Sequence, residues 1–295
     1  MKVCFVSSSR ADYGLLKNLM RLISADTAFT LQIILTGAHL DERYGNTSEQ
    51  VLADGFCVDA YVPLEMGSDS PSGVVETMSS GLTGFSRAYQ KLQPDMLFVL
   101  GDRHEILAAT LSAFIAGITV SHHSGGDITA GAYDDAFRHS ITKFSHYHFV
   151  SCEASYRRVV QMGELPERVF LVGGLGIENM KERTLINQEN LEKQISFTFK
   201  KKNLLVTLHP ETQSSMPYEQ QIGNLLDALL MFPEVGILFT APNHDVGTFS
   251  FIHKIEKFTM KYKNAILFKS LGETRYLSVA QCVDAIVGNS SSGIC

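Results

Sequence analysis

The sequence lacks a long apolar run, and it has no run of basic residues longer than Lys200 to Lys202. No stretch approaches the length that a helix needs to cross a bilayer, so a membrane-spanning protein is not expected. The net charge is −6 and the lysines and arginines are scattered, which argues against nucleic acid as a partner. Residues 3–6 are apolar, but Ser7 to Arg10 interrupt them without a small-residue cleavage site. They predict a first strand and not a signal peptide.

Closely spaced metal-binding or disulfide-forming residues are also lacking. The five cysteines lie far apart without a CxxC pair, which indicates free thiols in a reducing compartment. We therefore expect a cytoplasmic protein. The ten histidines form no HExxH motif and no compact set with aspartates, so no metal is expected. The cysteines are Cys4, Cys57, Cys152, Cys282 and Cys295.

Short apolar runs recur along the 295 residues, each followed by a loop and a helical stretch. Runs without alternation are typical of parallel strands that helices cover on both faces. The sequence therefore predicts an α/β fold with doubly wound parallel sheets. The first series of runs comprises Val3–Ser7, Leu31–Thr36, Met96–Gly101, Ile118–His122, His148–Ser151 and Val169–Gly173. The second comprises Leu204–Leu208, Gly236–Thr240, Ala265–Lys269 and Ala285–Gly288.

A polar segment separates the two series. Residues 178–202 are rich in Asn, Gln, Glu and Lys, as expected of a solvated helix that joins two domains. We predict two Rossmann-like domains, residues 1–177 and residues 178–295, with a single sheet and a long excursion as the alternative. The second series ends in a loop that would open a helix, and the chain stops at Cys295. We therefore expect an incomplete second domain, truncated at its C-terminus.

Polar, ionisable or glycine-rich residues follow nearly every predicted strand. Ligands of open parallel sheets bind beyond the carboxyl ends of the strands, so this clustering predicts a site in a cleft between two domains. The groups are Ser7 to Gly14, Gly101 to Arg103, His122 to Asp127, Asp134 to His139, His209 to Thr212, Pro242 to Asp245 and Gly288 to Gly293. Taken singly, each group also has a structural explanation, such as an ion pair or a helix start.

The loop from Gly288 to Gly293 is a candidate phosphate-binding loop. Its glycines expose backbone N–H groups, its three serines add donors, and the helix that follows would present the positive end of its dipole. Such a loop suits a diphosphate. Taken alone, it is explained about as well by an ordinary serine N-cap.

Six motifs occur in a characteristic order. They are R-A-D-Y-G at Arg10–Gly14, G-D-R at Gly101–Arg103, H-x-x-G-G-D at His122–Asp127, D-D-x-x-R-H-x-I-T-K at Asp134–Lys143, H-P-E-T at His209–Thr212 and G-N-S-S-S-G at Gly288–Gly293. Over essentially its whole length the chain resembles the hydrolysing UDP-N-acetylglucosamine 2-epimerases of bacterial sialic acid pathways. The resemblance implies a two-domain fold of the glycosyltransferase-B (GT-B) type. It also implies conversion of UDP-N-acetylglucosamine and water to N-acetylmannosamine and UDP through a glycal, without a cofactor.

The same resemblance implies roles for individual residues. The candidate catalytic residues are Asp102, Asp127, Asp134, Asp135 and His209. The candidate diphosphate-binding residues are Arg10, Arg103, Asn243, Asp245, Ser290, Ser291 and Gly293, with His209 beside them. Ser124 and Arg138 are expected to contact the substrate. The reaction needs such groups, because a base removes the C2 proton while the departing diphosphate gains charge. A UDP-sugar is the expected partner, and a homodimer or higher homo-oligomer is implied.

Two features depart from the family pattern. Members specific for N-acetylglucosamine have a glutamate immediately before the Gly-Gly pair, where this chain has Ser124. Serine is no base at neutral pH, so Asp127 or another carboxylate carries that duty, or the substrate differs. Relatives that act on UDP-2,4-diacetamido-2,4,6-trideoxyglucose, in the legionaminic acid pathway, also vary here, and a smaller residue leaves room for the second acetamido group. The second departure is the absence of family elements that follow Ile294.

Two other functions stay open at this point. A glycosyltransferase of the same fold would share the diphosphate loop, but it needs an acceptor groove and does not require the Asp134-Asp135 block. A non-catalytic binder of UDP-sugars would be consistent with Ser124 and with the incomplete second domain.

Overall fold

The structure is a computed structural model that describes residues 1–41, 47–65, 70–129, 133–176, 185–211, 214–242 and 247–290. The chain forms two compact units, Met1–Asn179 and Met180–Cys295. The predicted boundary between residues 177 and 178 lies outside the described residues and stays a prediction. The predicted cleft between the domains also stays a prediction. Within the described part of the chain, no helix has both the length and the apolar character needed to cross a membrane.

The first unit contains a seven-stranded sheet in which every pair of neighbours is parallel. Its strands are β1 (Lys2–Ser7), β2 (Thr30–Thr36), β3 (Ala60–Val62), β4 (Met96–Leu100), β5 (Thr119–His123), β6 (Tyr147–Val150) and β7 (Val169–Leu171). Their order across the sheet is β3-β2-β1-β4-β5-β6-β7. The winding direction therefore reverses between β1 and β4.

Helices cover both faces of this sheet. They are α1 (Arg10–Ala25), α2 (Ser48–Ala53), α3 (Pro71–Leu92), α4 (His104–Ile115), α5 (Asp134–Phe144) and α6 (Glu153–Gln161). On one face Val6 and Val99 pack with Phe85 of α3 and other buried residues of α4 and α5. On the other face Phe5 packs with Leu16 of α1. Alternate residues of β1 thus enter opposite cores, as expected of a strand buried on both sides.

The second unit repeats the plan on a smaller scale, with four parallel strands in the order β10-β9-β8-β11. The strands are β8 (Asn203–Thr207), β9 (Gly236–Thr240), β10 (Ala265–Phe268) and β11 (Ala285–Gly288). The helices are α7 (Gln188–Ile195), α8 (Tyr218–Leu229), α9 (Thr248–Lys261) and α10 (Glu273–Cys282). Val206 and Phe239 face one core, and Leu205 and Leu238 face the other. Both predicted doubly wound parallel sheets are therefore confirmed.

One sequence prediction is wrong for part of the polar segment 178–202. Within it, α7 is not a solvated linking helix, because Leu191 and Ile195 are buried against the second sheet. These two apolar residues are four apart and share one face of the helix, while Gln, Glu and Lys occupy the other positions. The helix therefore belongs to the core of the second unit.

Candidate active site

The candidate residues of the first unit gather at the carboxyl edge of its sheet. Ligands of doubly wound sheets bind at this edge, where the winding direction reverses. Here the reversal lies between β1 and β4, and the loops after β1, β4 and β5 carry the predicted groups. Leu100 pairs with His123, and the Gly101 N–H donates to the His123 carbonyl at 3.1 Å. Asp102 and Ser124 therefore follow β4 and β5 side by side.

The turn after β1 is held by a capping box. Asp12 Oδ2 accepts hydrogen bonds from the Ser8 N–H at 3.2 Å, the Ser9 N–H at 3.0 Å and the Ser8 hydroxyl at 2.7 Å. The Ser9 hydroxyl in turn accepts from the Asp12 N–H at 3.3 Å. Burial raises the pKa of Asp12, although nearby Arg103 and Ser8 lower it. This network fixes the start of α1, whose first residue is the predicted phosphate ligand Arg10.

After β4, a buried carboxylate fastens the predicted phosphate ligand Arg103. The Arg103 Nε–H donates to Glu105 Oε1 at 2.6 Å, and His104 Nε2 lies 3.3 Å from Glu105 Oε2. Burial acts to raise the pKa of Glu105, but the nearby charges of Arg103 and then His104 outweigh burial and lower the pKa to about 2. Glu105 is thus ionised under the guanidinium, although only 2% of its side chain is exposed.

The most connected predicted group is an aspartate–arginine cluster, which consists of Asp102, Asp135 and Arg138. Arg138 Nη2 donates to Asp102 Oδ2 and, at 3.0 Å, to the Thr129 hydroxyl. Arg138 Nη1 lies 3.4 Å from Asp135 Oδ1, which also accepts from the Thr129 N–H at 2.5 Å. Burial, and then Arg158, lower the pKa of Arg138 to about 10, so it stays charged at neutral pH. One guanidinium therefore holds two carboxylates at the sheet edge.

A buried histidine connects the Asp102 loop to the helix that carries Arg138. His122 Nε2 lies 2.8 Å from the Gly101 carbonyl oxygen, and His122 Nδ1 lies 3.2 Å from the Thr142 hydroxyl of α5. Burial lowers the pKa of His122 to about 3, so the ring is neutral at pH 7. A neutral ring with a carbonyl beside Nε2 carries its proton there, so Nε2 donates to Gly101. The loop and the helix are thus held in register.

Asp127 belongs to a different group from the aspartate–arginine cluster. Its Oδ1 accepts from the Ser151 hydroxyl at 2.9 Å and from the Ser155 hydroxyl at 2.5 Å. The preceding Gly126 has φ +79°, and a Cβ there would lie 2.5 Å from the Ser155 carbonyl oxygen, so only glycine fits. Asp127 therefore ties the end of β5 to the end of β6 and the start of α6.

In the second unit, His209 and Asn289 meet where the strand order reverses between β8 and β11. The His209 N–H donates to Asn289 Oδ1 at 2.7 Å, and Asn289 Nδ2 donates to the His209 carbonyl at 2.9 Å. A Cβ at Gly288 would lie 1.7 Å from the Thr207 carbonyl oxygen, so glycine is required for the close approach of β11 to β8. One asparagine thus joins the His209 loop to the turn that carries Ser290.

The structure brings together Asp102, Asp135 and Arg138, and it places the other described candidates at the same edges of their sheets. Asp134 is the first residue of α5, and Ser124 directly follows β5. Four predicted residues lie outside the described residues: Asn243, Asp245, Ser291 and Gly293. Among the described residues, no group of three or more His, Cys, Asp or Glu side chains could hold a metal ion.

Sequence reasoning missed the residues that support the candidates. Thr129 bridges two members of the aspartate–arginine cluster, and Glu105 fastens Arg103. The sequence marks Asn289 only as part of the G-N-S-S-S-G motif. Its hydrogen bond with His209 cannot be predicted without the order of the strands in the sheet. The only sequence signal for Glu105 was its position next to the G-D-R motif.

Comparison with known proteins identifies the family. Residues 21–295 match the model of the UDP-N-acetylglucosamine 2-epimerase family. The chain is 36% identical over 294 residues to a GDP/UDP-N,N'-diacetylbacillosamine 2-epimerase (hydrolyzing) of Campylobacter jejuni, covering 99% of this chain and 76% of the relative. It is 32% identical over 293 residues to the UDP-N,N'-diacetylbacillosamine 2-epimerase (hydrolyzing) of Legionella pneumophila, covering 99% and 77% of the two chains. The chain therefore belongs to the UDP-N-acetylglucosamine 2-epimerase family, as its six motifs predicted.

The fold agrees with that assignment. The crystal structure of UDP-GlcNAc 2-epimerase from Neisseria meningitidis bound to UDP-GlcNAc superposes with a TM-score of 0.79. At 18% sequence identity it covers 98% of this chain and 78% of that chain. The predicted α/β fold of the GT-B type is thereby confirmed.

Proposed function

We propose that the protein is a hydrolysing 2-epimerase of a UDP-linked 2-acetamido sugar. Its preferred substrate is UDP-2,4-diacetamido-2,4,6-trideoxyglucose, which is UDP-N,N'-diacetylbacillosamine. The products are UDP and the free sugar with the manno configuration at C2. The observation that carries this proposal is the aspartate–arginine cluster at the carboxyl edge of the first sheet.

The cluster suits the first chemical step. The C2 proton is weakly acidic and leaves as the C1–O bond to UDP breaks, so positive character develops at C1. Carboxylates held in fixed positions stabilise that charge, and Arg138 keeps Asp102 and Asp135 in place. Asp134, one residue from Asp135 at the start of α5, completes the acidic face and accepts a hydrogen bond from the C3 hydroxyl of the sugar. Asp127 supports the β5 loop through its two serine partners.

The departing diphosphate needs cations and N–H donors. We assign these to Arg10 and Arg103 of the first unit and to His209 and Ser290 of the second. Arg10 begins α1 after a rigid capping box, and Glu105 fixes the Nε–H edge of Arg103. Asn289 holds the backbone of the His209 loop by two hydrogen bonds. Such prepositioned donors stabilise developing charge without reorganisation during the reaction.

The choice of sugar follows from Ser124 and from the relatives. A serine at this position is smaller than the glutamate expected of members specific for N-acetylglucosamine, so it leaves room for an acetamido group at C4. Both relatives reported above are named for N,N'-diacetylbacillosamine. UDP-N-acetylglucosamine is the second candidate substrate, because the matching family model carries its name.

The test is to incubate the protein separately with the two UDP-sugars and to follow the products by NMR. We expect free 2-epimerised sugar and UDP in equal amounts, without an acceptor. We also expect kcat/KM to be at least about tenfold higher for the diacetamido sugar, the discrimination that one well-fitted group typically gives. Turnover only with an added acceptor would favour a glycosyltransferase. Binding of UDP by calorimetry with no product would favour a non-catalytic binder.

A further inference from the structure

Ser124 and His123 form a hydrogen-bonded pair at the carboxyl end of β5. The Ser124 Oγ lies 2.9 Å from His123 Nδ1, and the Ser124 N–H donates to the Phe149 carbonyl at 3.0 Å. Ser124 has φ +67°, a left-handed conformation that is uncommon for residues other than glycine. The strained backbone places the hydroxyl at the sheet edge and turns it towards the neighbouring ring.

The state of His123 follows from its surroundings. The residue is 2% exposed, and its Nε2 is buried without a hydrogen-bond partner among the described residues. Burial lowers the pKa of His123 to about 4, although Asp127 and the backbone of Gly173 raise it. The imidazole is therefore neutral at pH 7, and with its proton on Nε2 its Nδ1 is free to accept the serine proton.

We propose that Ser124 and His123 act together as the proton-transfer group at the position where N-acetylglucosamine-specific members have a glutamate. Ser124 is the catalytic residue that contacts the sugar, and His123 acts through it. The proposal rests on the proposed function, because it needs a substrate with an abstractable C2 proton. The position supports it: Leu100 pairs with His123, so Ser124 begins its loop beside Gly101 and Asp102.

In the elimination step the C2–H bond breaks and its proton passes to Ser124 Oγ, while the serine proton passes to His123 Nδ1. The C2–H electron pair becomes the C1=C2 bond of the glycal, and the C1–O pair leaves with UDP. Water then bonds to C1 and gives up one proton, while the C1=C2 pair takes a proton at C2 on the other face from a different acid. The proton that the water loses restores that acid. His123 returns its proton through the hydroxyl to solvent, which matches the net release of one proton when UDP gains a terminal phosphate charge.

The basicity of the pair fits this role. A histidine whose pKa is about 4 is about as basic as an ordinary glutamate, whose pKa is about 4.3. A relay from hydroxyl to imidazole can therefore replace a carboxylate at this position. Asp127 is a poorer candidate, because Oδ1 already accepts the hydroxyls of Ser151 and Ser155.

Three variants test the relay: Ser124→Ala, His123→Asn and the double variant. Asparagine keeps a hydrogen-bond acceptor near the position of Nδ1 but cannot take up a proton, so it separates orientation of the serine from proton transfer. We expect each single variant to lower kcat by about 10²–10⁴-fold, with KM and UDP affinity within about threefold of wild type. Because the two groups work as a unit, the double variant should be no slower than the slower single variant.

The matched control is Ser145→Ala, which removes a buried hydroxyl bonded to the Ile141 carbonyl at 2.7 Å, at the other end of the sheet. Its kcat should stay within about threefold of wild type. If His123→Asn does not fold, Ser124→Ala carries the test with a C2-deuterated substrate. Its isotope effect on kcat should exceed that of wild type, because C–H cleavage has become slower.

With an active wild-type protein, two results would overturn the relay and leave the proposed function intact. One is a Ser124→Ala variant whose kcat equals that of wild type. The other is a double variant whose loss in kcat is the product of the two single losses. A kcat near wild type in His123→Asn would overturn the role of the imidazole in the same way. Wild-type protein that releases neither UDP nor free sugar would refute the proposed function itself, and this proposal with it.

Discussion

Replacing Arg138 with methionine removes the cation on which the aspartate–arginine cluster depends. Methionine has a similar length and leaves Asp102 and Asp135 without their shared partner. The exposed fractions of the three side chains are 8% for Arg138, 20% for Asp102 and 34% for Asp135. Breaking a fully buried ion pair costs about 3–5 kcal/mol, whereas an exposed pair contributes about 0–1 kcal/mol. The partly exposed carboxylates place the loss at the low end, about 3 kcal/mol.

A loss of that size lowers Tm by roughly 6–12 °C in a unit of this length. Circular dichroism melts at neutral pH measure it directly. The matched control is Arg157→Met on α6, where the arginine is 77% exposed and pairs with Glu153 one helical turn away. That variant should lose at most about 0.5 kcal/mol.

Turnover provides the second readout. Without Arg138 the carboxylates of Asp102 and Asp135 are no longer held in fixed positions. Because a misplacement of about 1 Å can cost about 10²-fold in rate, we expect Arg138→Met to lower kcat by about 10²-fold. An Arg138→Met variant that melted within about 2 °C of Arg157→Met and kept its kcat within about threefold of wild type would refute this role of Arg138.

Three further predictions concern other parts of the site and the fold. Asn289→Ala removes both hydrogen bonds to the His209 backbone, each contributing about 1 kcal/mol, and should weaken UDP binding in calorimetry by about tenfold; unchanged affinity would contradict this role. Glu105→Gln leaves Arg103 less firmly oriented and should raise KM for the UDP-sugar about tenfold with kcat within about threefold, whereas a fall in kcat alone would contradict it. Acidification should destabilise the protein through three buried histidines. In the folded protein burial lowers the pKa of these histidines to about 3 or 4, whereas in the unfolded chain they take up protons near pH 6.5. They are His39, His122 and His123. The stability present above pH 6.5 should fall towards pH 4 by about 1.4 kcal/mol per pH unit for each histidine, and the raised pKa of Asp12 opposes part of this loss. Urea unfolding that shows greater stability at pH 5 than at pH 7 would refute this.

The parallel sheets could be predicted because burial on both faces leaves a direct mark on the sequence. The strands β1 and β9 are uninterrupted apolar runs, and glycines, serines or charged residues follow most such runs. The strand β3 was missed, because three residues with one buried side chain leave no recognisable pattern. The sequence predicted a solvated helix in place of α7, because only Leu191 and Ile195 mark the buried face of this helix.

The site was predictable only as a set of strand ends. That Asp102 and Arg138 pair across 36 positions depends on the adjacency of β4, β5 and α5, which the sequence does not state. The same holds for Asp127, because its motif gives no sign of the hydrogen bonds that Ser151 and Ser155 donate to its carboxylate. The motifs identify which functional groups follow the strands at the carboxyl edge of a sheet. The tertiary contacts determine which of those groups interact with one another.

The most direct test of the account is a single turnover experiment in D₂O with UDP-2,4-diacetamido-2,4,6-trideoxyglucose. Removal of the C2 proton at the sheet edge, followed by delivery from solvent to the other face, predicts free sugar of the manno configuration with deuterium at C2. One UDP should appear for each sugar released. Sugar that keeps its original hydrogen at C2, or that is released without inversion there, would contradict the account.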